Sequence, residues 1–214
     1  MKIINYESSR LTALFTAAGV GRVYLPKAVQ LLAERYRFVG VPNRLEELSG
    51  EKVSFKHGVL NDIAIEALDI YNDGIIVSAK AASDILDDFV QDFCGWMENE
   101  LGVERVETHG VNRAYESTLL IHSTAPLLRA VEALAPIQEL LRRSVKSAMK
   151  VDAKFEPFGL SIAADHAHIP SMKPIAFRVE RKATMAFEEN FYVSGAPLPT
   201  ADHIKVLERL EKLV

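Results

Sequence analysis

A chain of 214 residues that is 49% hydrophobic and 25% charged has enough apolar material to bury a full core, and its composition excludes an intrinsically disordered protein. A formal net charge of −4 excludes a surface adapted throughout to the phosphate backbone, which depends on clustered Lys and Arg. The single cysteine, Cys94, excludes an internal disulfide, and no apolar run approaches the roughly 20 residues that span a bilayer, so the chain reads as a cytoplasmic protein of a reducing compartment, away from membranes.

The predicted elements begin with a strand over Ile3 to Phe15, although Lys2, Asn5, Glu7 and Arg10 break any clean period. Gly19 and Gly21 mark a loop, and Pro26 opens a helix over 26–37 that turns Ala28, Leu31, Leu32 and Tyr36 toward a core. Val53, Phe55 and His57 alternate with Ser54, Lys56 and Gly58, and after an Asn61-Asp62 turn Ile63, Ile65 and Ala67 keep the period of two. Asn72-Asp73-Gly74 then predicts a tight hairpin, since these residues accept positive φ, and Ile75 to Ser78 is the return strand.

Ser83 is placed as the cap of a helix over 84–101, stopped by Gly102, with Leu86, Phe89, Val90, Phe93 and Met97 in its apolar stripe. A short strand follows at Leu119 to His122. A helical region from Pro126 to about Met149 must kink or divide at Pro136, which lacks an N–H. Strands are expected at 158–164 and 175–180, with 183–195 continuing the sheet, and Thr200 is placed as the cap of a last helix facing inward through Ile204, Leu207, Leu210 and Val214. No internal repeat shows in the residues. Strands joined by tight turns cannot be parallel, so the expected fold is an α+β two-layer sandwich: a mainly antiparallel sheet with helices packed on one face, as a single domain over 1–214 in which 1–50 is a peripheral strand-helix extension.

The most chemical cluster is Asp165-His166-Ala167-His168. On a strand, His166 and His168 project to one side and would share a divalent metal, with His57, His109 or a carboxylate as third ligand. The plain alternative is a polar loop. Ser147 and Lys150 have Ser-x-x-Lys spacing but no accompanying motif, Gly19-Val20-Gly21 is half a dinucleotide fingerprint because Tyr24 stands where a glycine is needed, and Cys94 sits inside the amphipathic helix as an apolar filler. Asp84, Asp88 and Asp92 recur every four residues on one helix; Arg142, Lys146 and Lys150, with Arg143 beside them, do so on another. Such stripes are either solvated or answered by opposite charge, within the fold or on a partner. His203 and the Phe191-Tyr192 pair read as a helix start and its staple, or as pocket residues.

Three functional readings follow. The leading one is a non-enzymatic interaction module without cofactor, a homo-oligomer that meets a protein partner through charged helix faces and a sheet edge. The competing reading is a metal-dependent hydrolase or lyase using His166 and His168, with Asp165 or Glu188 as base. The third, less favoured, is nucleic-acid binding through Arg142, Arg143, Lys146 and Lys150.

Overall fold

Along the first strand Ser9, Leu11 and Ala13 are buried while Arg10 is exposed, the period-two pattern of a strand with one face on a core. In the computed structural model, which describes residues 1–15, 17–18, 25–49, 52–103, 105–106, 112–169 and 172–214, this strand is β1 (Lys2–Leu14). It is followed by β2 (Ala17–Ala18), α1 (Leu25–Arg35), α2 (Leu45–Ser49), β3 (Lys52–Leu60), β4 (Ile63–Tyr71), β5 (Gly74–Ala79) and α3 (Asp84–Leu101). The second half holds β6 (Arg105–Val106), β7 (Asn112–His122), a 3-10 helix (Leu127–Leu134), α4 (Ala135–Met149), β8 (Gly159–Ile162), β9 (Phe177–Arg181), β10 (Phe191–Ala196) and α5 (Thr200–Glu211).

Eight strands form one antiparallel sheet in the order β3-β4-β5-β1-β7-β10-β9-β8, which is the α+β architecture expected. The N-terminal segment is not peripheral. β1 lies between β5 and β7 at the centre of the sheet, because Leu11 pairs with Val77 on one side and Tyr115 on the other. The strand predicted at 119–122 extends back to Asn112 for the same reason: β1 offers a partner along its length, and that is a long-range fact.

Seen from the β1–β7 seam outward, the sheet reads the same in both directions, and the element order repeats: strand, helix, three-stranded meander, helix. Buried hydrogen bonds mark the pseudo-twofold axis. Ser9 and Ser117 face each other across the seam; Ser9 Oγ donates to Ala81 O (2.6 Å) and Ser117 Oγ to Leu198 O (3.0 Å). Ala81 precedes Ser83, and Leu198 precedes Thr200, by the same step. The Ser83 amide donates to Thr200 Oγ1 (3.0 Å) while the Thr200 amide donates to Ser83 Oγ (2.8 Å). Ser83 therefore makes no cap bond within its own helix, and each residue accepts from the start of the other's helix. The repeat is invisible in the sequence because only backbone geometry and a few hydroxyls preserve it.

Each half has its own core on the same sheet face. The first joins Leu11, Phe55, Leu68 and Val77 to Leu32 and Tyr36, at and just past α1, and to Phe89 and Phe93 of α3. The second joins Leu119, Ile121, Val179 and Tyr192 to Leu127, Leu128 and Leu207. Fully burying side chains of this size stabilises a fold by about 1.5–3 kcal/mol each. On the opposite face the central strands present Arg10, Thr12, Glu116 and Thr118. Pro136 divides the predicted 126–149 helix as expected, sitting in the first turn of α4.

The hairpin residues exchange roles. Positive φ occurs at Asn61 (47°) and Asp62 (64°), the primed turn that suits strand twist. In the β4–β5 turn, by contrast, Asn72 and Asp73 keep negative φ and only Gly74 is unusual, at 156°. A Cβ on Gly74 would stand 2.2 Å from Ala13 O, in the backbone of the central strand. Gly74→Ala is expected to cost well over about 1 kcal/mol in a denaturant melt; a wild-type midpoint would show that the turn adjusts freely.

Candidate interaction surface

α4 begins where Pro136 supplies a fixed φ in the first turn and ends on Lys150 in the left-handed region (φ 61°), whose amide reaches Lys146 O. Its stripe of Leu134, Ile137, Leu140, Leu141 and Met149 is what a helix needs to lie on a core, yet no side chain of α4 is buried; Ile137 is 55% and Leu140 60% exposed. α1, α3 and α5 pack on one face of the sheet as expected, and α4 stands apart from that layer with no buried side chain. A helix of this length is marginal alone in water. The segment after it is pinned by buried Arg181, which donates to Pro157 O (3.0 Å), Phe187 O (2.7 Å) and Glu156 Oε2 (3.1 Å).

The two pseudo-symmetric halves differ in cover. Apart from Ile4 and Val39, the large hydrophobics exposed among the described residues all lie in the second half. Counted from Ser83 and Thr200, buried Phe89 and Trp96 of the first half correspond to Val206 and Leu213, which are 39% and 68% exposed. The sheet edges differ as well. At β3, Gly40 closes the edge by donating to and accepting from Lys56 (2.9 and 2.8 Å), whereas at the far edge β8 is flanked by exposed Phe158 and Ile162.

The predicted basic residues are already engaged. Arg142 donates to both oxygens of Asp152 (2.8 and 3.2 Å), Lys146 to Asp152 (3.1 Å) and Arg143 to Glu139 (2.8 Å); Arg142 and Lys146 hold the Asp152 carboxyl down to about 2. Lys150 Nζ reaches the backbone oxygen of Ser147 rather than its hydroxyl (2.9 Å), so no Ser-Lys pair forms. Of the acidic stripe, Asp92 accepts from Arg35 Nε and Nη2 (3.1 and 2.7 Å) and from Tyr36 Oη (2.7 Å). Burial pushes its carboxyl up, and these bonds, with the charge of Arg35, outweigh that and lower it. Asp84 and Asp88 are exposed. Of the acidic stripe, Asp92 is thus answered by Arg35 and Tyr36, not by the basic stripe.

The histidine cluster does not lie on a strand. Residues His166–His168 form one turn of 3-10 helix capped by Asp165, whose Oδ1 accepts from the Ala167 amide (2.9 Å). The strand alternation that would project His166 and His168 to one side is therefore absent here. His166 Nε2 lies 2.9 Å from Pro174 O, so it is the protonated nitrogen. The His168 side chain, His109 and Gly19-Val20-Gly21 with Tyr24 lie outside the described residues, and among those described no three His, Cys, Asp or Glu side chains converge on a cation position. Glu188 lies in the turn Phe187–Glu189. Cys94 is buried, and burial pushes its thiol up to about 11, so it stays protonated.

No family model and no curated protein matches the chain. Nor is any described helix long and apolar enough to cross a membrane.

What sequence reasoning missed is the hydrogen-bonding role of His203. This residue is fully buried at the start of α5, with Nδ1 2.8 Å from Ser117 Oγ and Nε2 2.8 Å from Ser194 Oγ. Burial lowers it to about 4. It lies in the first turn of the last helix, as expected, and it completes the polar knot at the pseudo-twofold seam. The one available signal was a histidine among the inward positions of an amphipathic helix.

Proposed function

We propose that the protein is a self-associating interaction module whose second half binds a second copy of the chain through α4. The observation that carries this reading is a full-length amphipathic helix with its apolar stripe in solvent. Contiguous exposed apolar surface of this kind marks interaction sites. The helix itself favours a second copy as the occupant. Arg142 and Arg143 are already neutralised by Asp152 and Glu139, so two copies of α4 can lie antiparallel, stripe against stripe and with opposed dipoles, without like-charge repulsion. The β8 edge, with exposed Phe158 and Ile162, offers a further protein partner a strand to pair with. Nucleic acid is disfavoured, since phosphate would have to displace Asp152 and Glu139 from the arginines.

Sedimentation equilibrium tests this. The wild-type chain should show a concentration-dependent dimer, and Ile137→Asp with Leu141→Asp should be monomeric, with the midpoint that the wild type has when diluted to monomer, because neither residue is buried within one copy. A wild-type chain that stays monomeric at every concentration would exclude self-association.

A further inference from the structure

The first half contains a cleft of about 120 Å³ between α1, α3 and strands β3 and β4, bounded by Ala28, Leu32, Val53, Phe55, Trp96 and Met97. Its whole lining is apolar and no polar atom is exposed on its wall. We infer that this cleft is a binding site for a small uncharged apolar molecule or group, about the size of a benzene ring.

Three physical points carry the assignment. The cleft is half open to solvent, so a ligand can enter, and its volume is close to that of an apolar cavity known to take benzene, roughly 150 Å³. Water is a poor occupant, because an ordered water needs two to four polar partners and this wall offers none. A charged or hydrogen-bonding ligand is rejected for the same reason, since its polar groups would be desolvated without compensation. The second half is built differently: there Leu127 and Leu128 of the 3-10 helix, almost fully buried, complete the core. The cleft lies in the half whose α1 is seated against the sheet, and a ligand in it would tie α1 to α3.

Trp96 is the only tryptophan in the chain and lines the cleft, so occupancy is readable directly. Toluene titrated into the full chain should shift Trp96 emission saturably and raise the melting midpoint by roughly 2 °C or more. Benzylamine, which carries a charge on the same ring, should do neither. Ala28→Leu, which fills the cleft with hydrocarbon, should keep or raise its own midpoint and lose the toluene response. No saturable change with toluene, an equal response to benzylamine, or an undiminished response in a folded Ala28→Leu would each overturn the assignment. Should that variant fail to fold, the comparison of toluene with benzylamine on the wild-type chain decides alone.

Discussion

Acidification from neutral pH should destabilise the wild-type protein steadily between pH 6.5 and about 4, by up to about 3 kcal/mol, while His203→Gln should show a much flatter dependence across that window. Burial lowers the His203 imidazole from 6.5 to about 4. In the unfolded chain the imidazole takes up its proton first, so each step down from pH 6.5 favours unfolding until the folded form also protonates near 4. A shift of one pH unit corresponds to 1.36 kcal/mol, which sets the upper size of the effect.

The hydrogen bonds set a competing tendency. Ser117 Oγ is placed to donate to Leu198 O and Ser194 Oγ to Arg178 O (3.0 and 2.8 Å), while both hydroxyls also touch the ring. A neutral imidazole and two hydroxyls offer three protons for four contacts, so one serine must turn toward the ring and release its carbonyl. An imidazolium would satisfy all four, but nothing in the knot carries the negative charge needed to offset its desolvation. Glu211 contributes in a lower window. Burial pushes its carboxyl up, but hydrogen bonds from the Met1 amino group, Ser123 and the Thr124 amide prevail and bring it down to about 2, so its stabilisation disappears between pH 4.5 and 2. Denaturant melts at pH 7 and 4.5 separate the two groups; parallel behaviour of wild type and variant would rule out a neutral buried His203.

Thr200→Val is expected to cost about 2 kcal/mol and, more tellingly, to loosen the start of a helix in the other half of the chain. Thr200 Oγ1 accepts from the Ser83 amide, and both residues are 3% exposed, so no water replaces the lost acceptor. Amide exchange should accelerate at Ser83 and in the first turn of α3, 117 residues away. Ser83→Ala should do the reverse, releasing the Thr200 amide at the start of α5. Thr200→Ser keeps the oxygen and should restore most of the loss. Exchange confined to α5 in the Thr200→Val protein would mean that the reciprocal bonds do not couple the halves.

Much of the fold was legible wherever the signal is local. The alternation through Val53 and Phe55, the turns at Asn61-Asp62 and Asn72-Asp73, the stripe of α3 and the break at Pro136 all depend on residues within one or two turns of each other. They appear in the structure at nearly the expected bounds. The interaction residues were legible only as types. The basic positions of α4 do lie together on one helix, but their pairing with Asp152, across a helix end, follows from where the chain turns after Lys150. The His166 turn departed from its strand reading because the Asp165 side chain caps the Ala167 amide, a local competition that alternation does not reveal.

The residues by themselves determined which segments are strands and helices, and the tight turns between them required an antiparallel sheet. Tertiary structure alone decided that β1, which looked peripheral, occupies the middle of that sheet, because strand order depends on pairing between β1 and the distant β7. The same is true of the hidden repeat, of the knot that links Ser83, Thr200 and His203, and of an α4 whose apolar stripe faces outward. A helical period shows that a face needs cover, but what supplies the cover depends on where every other element has already gone.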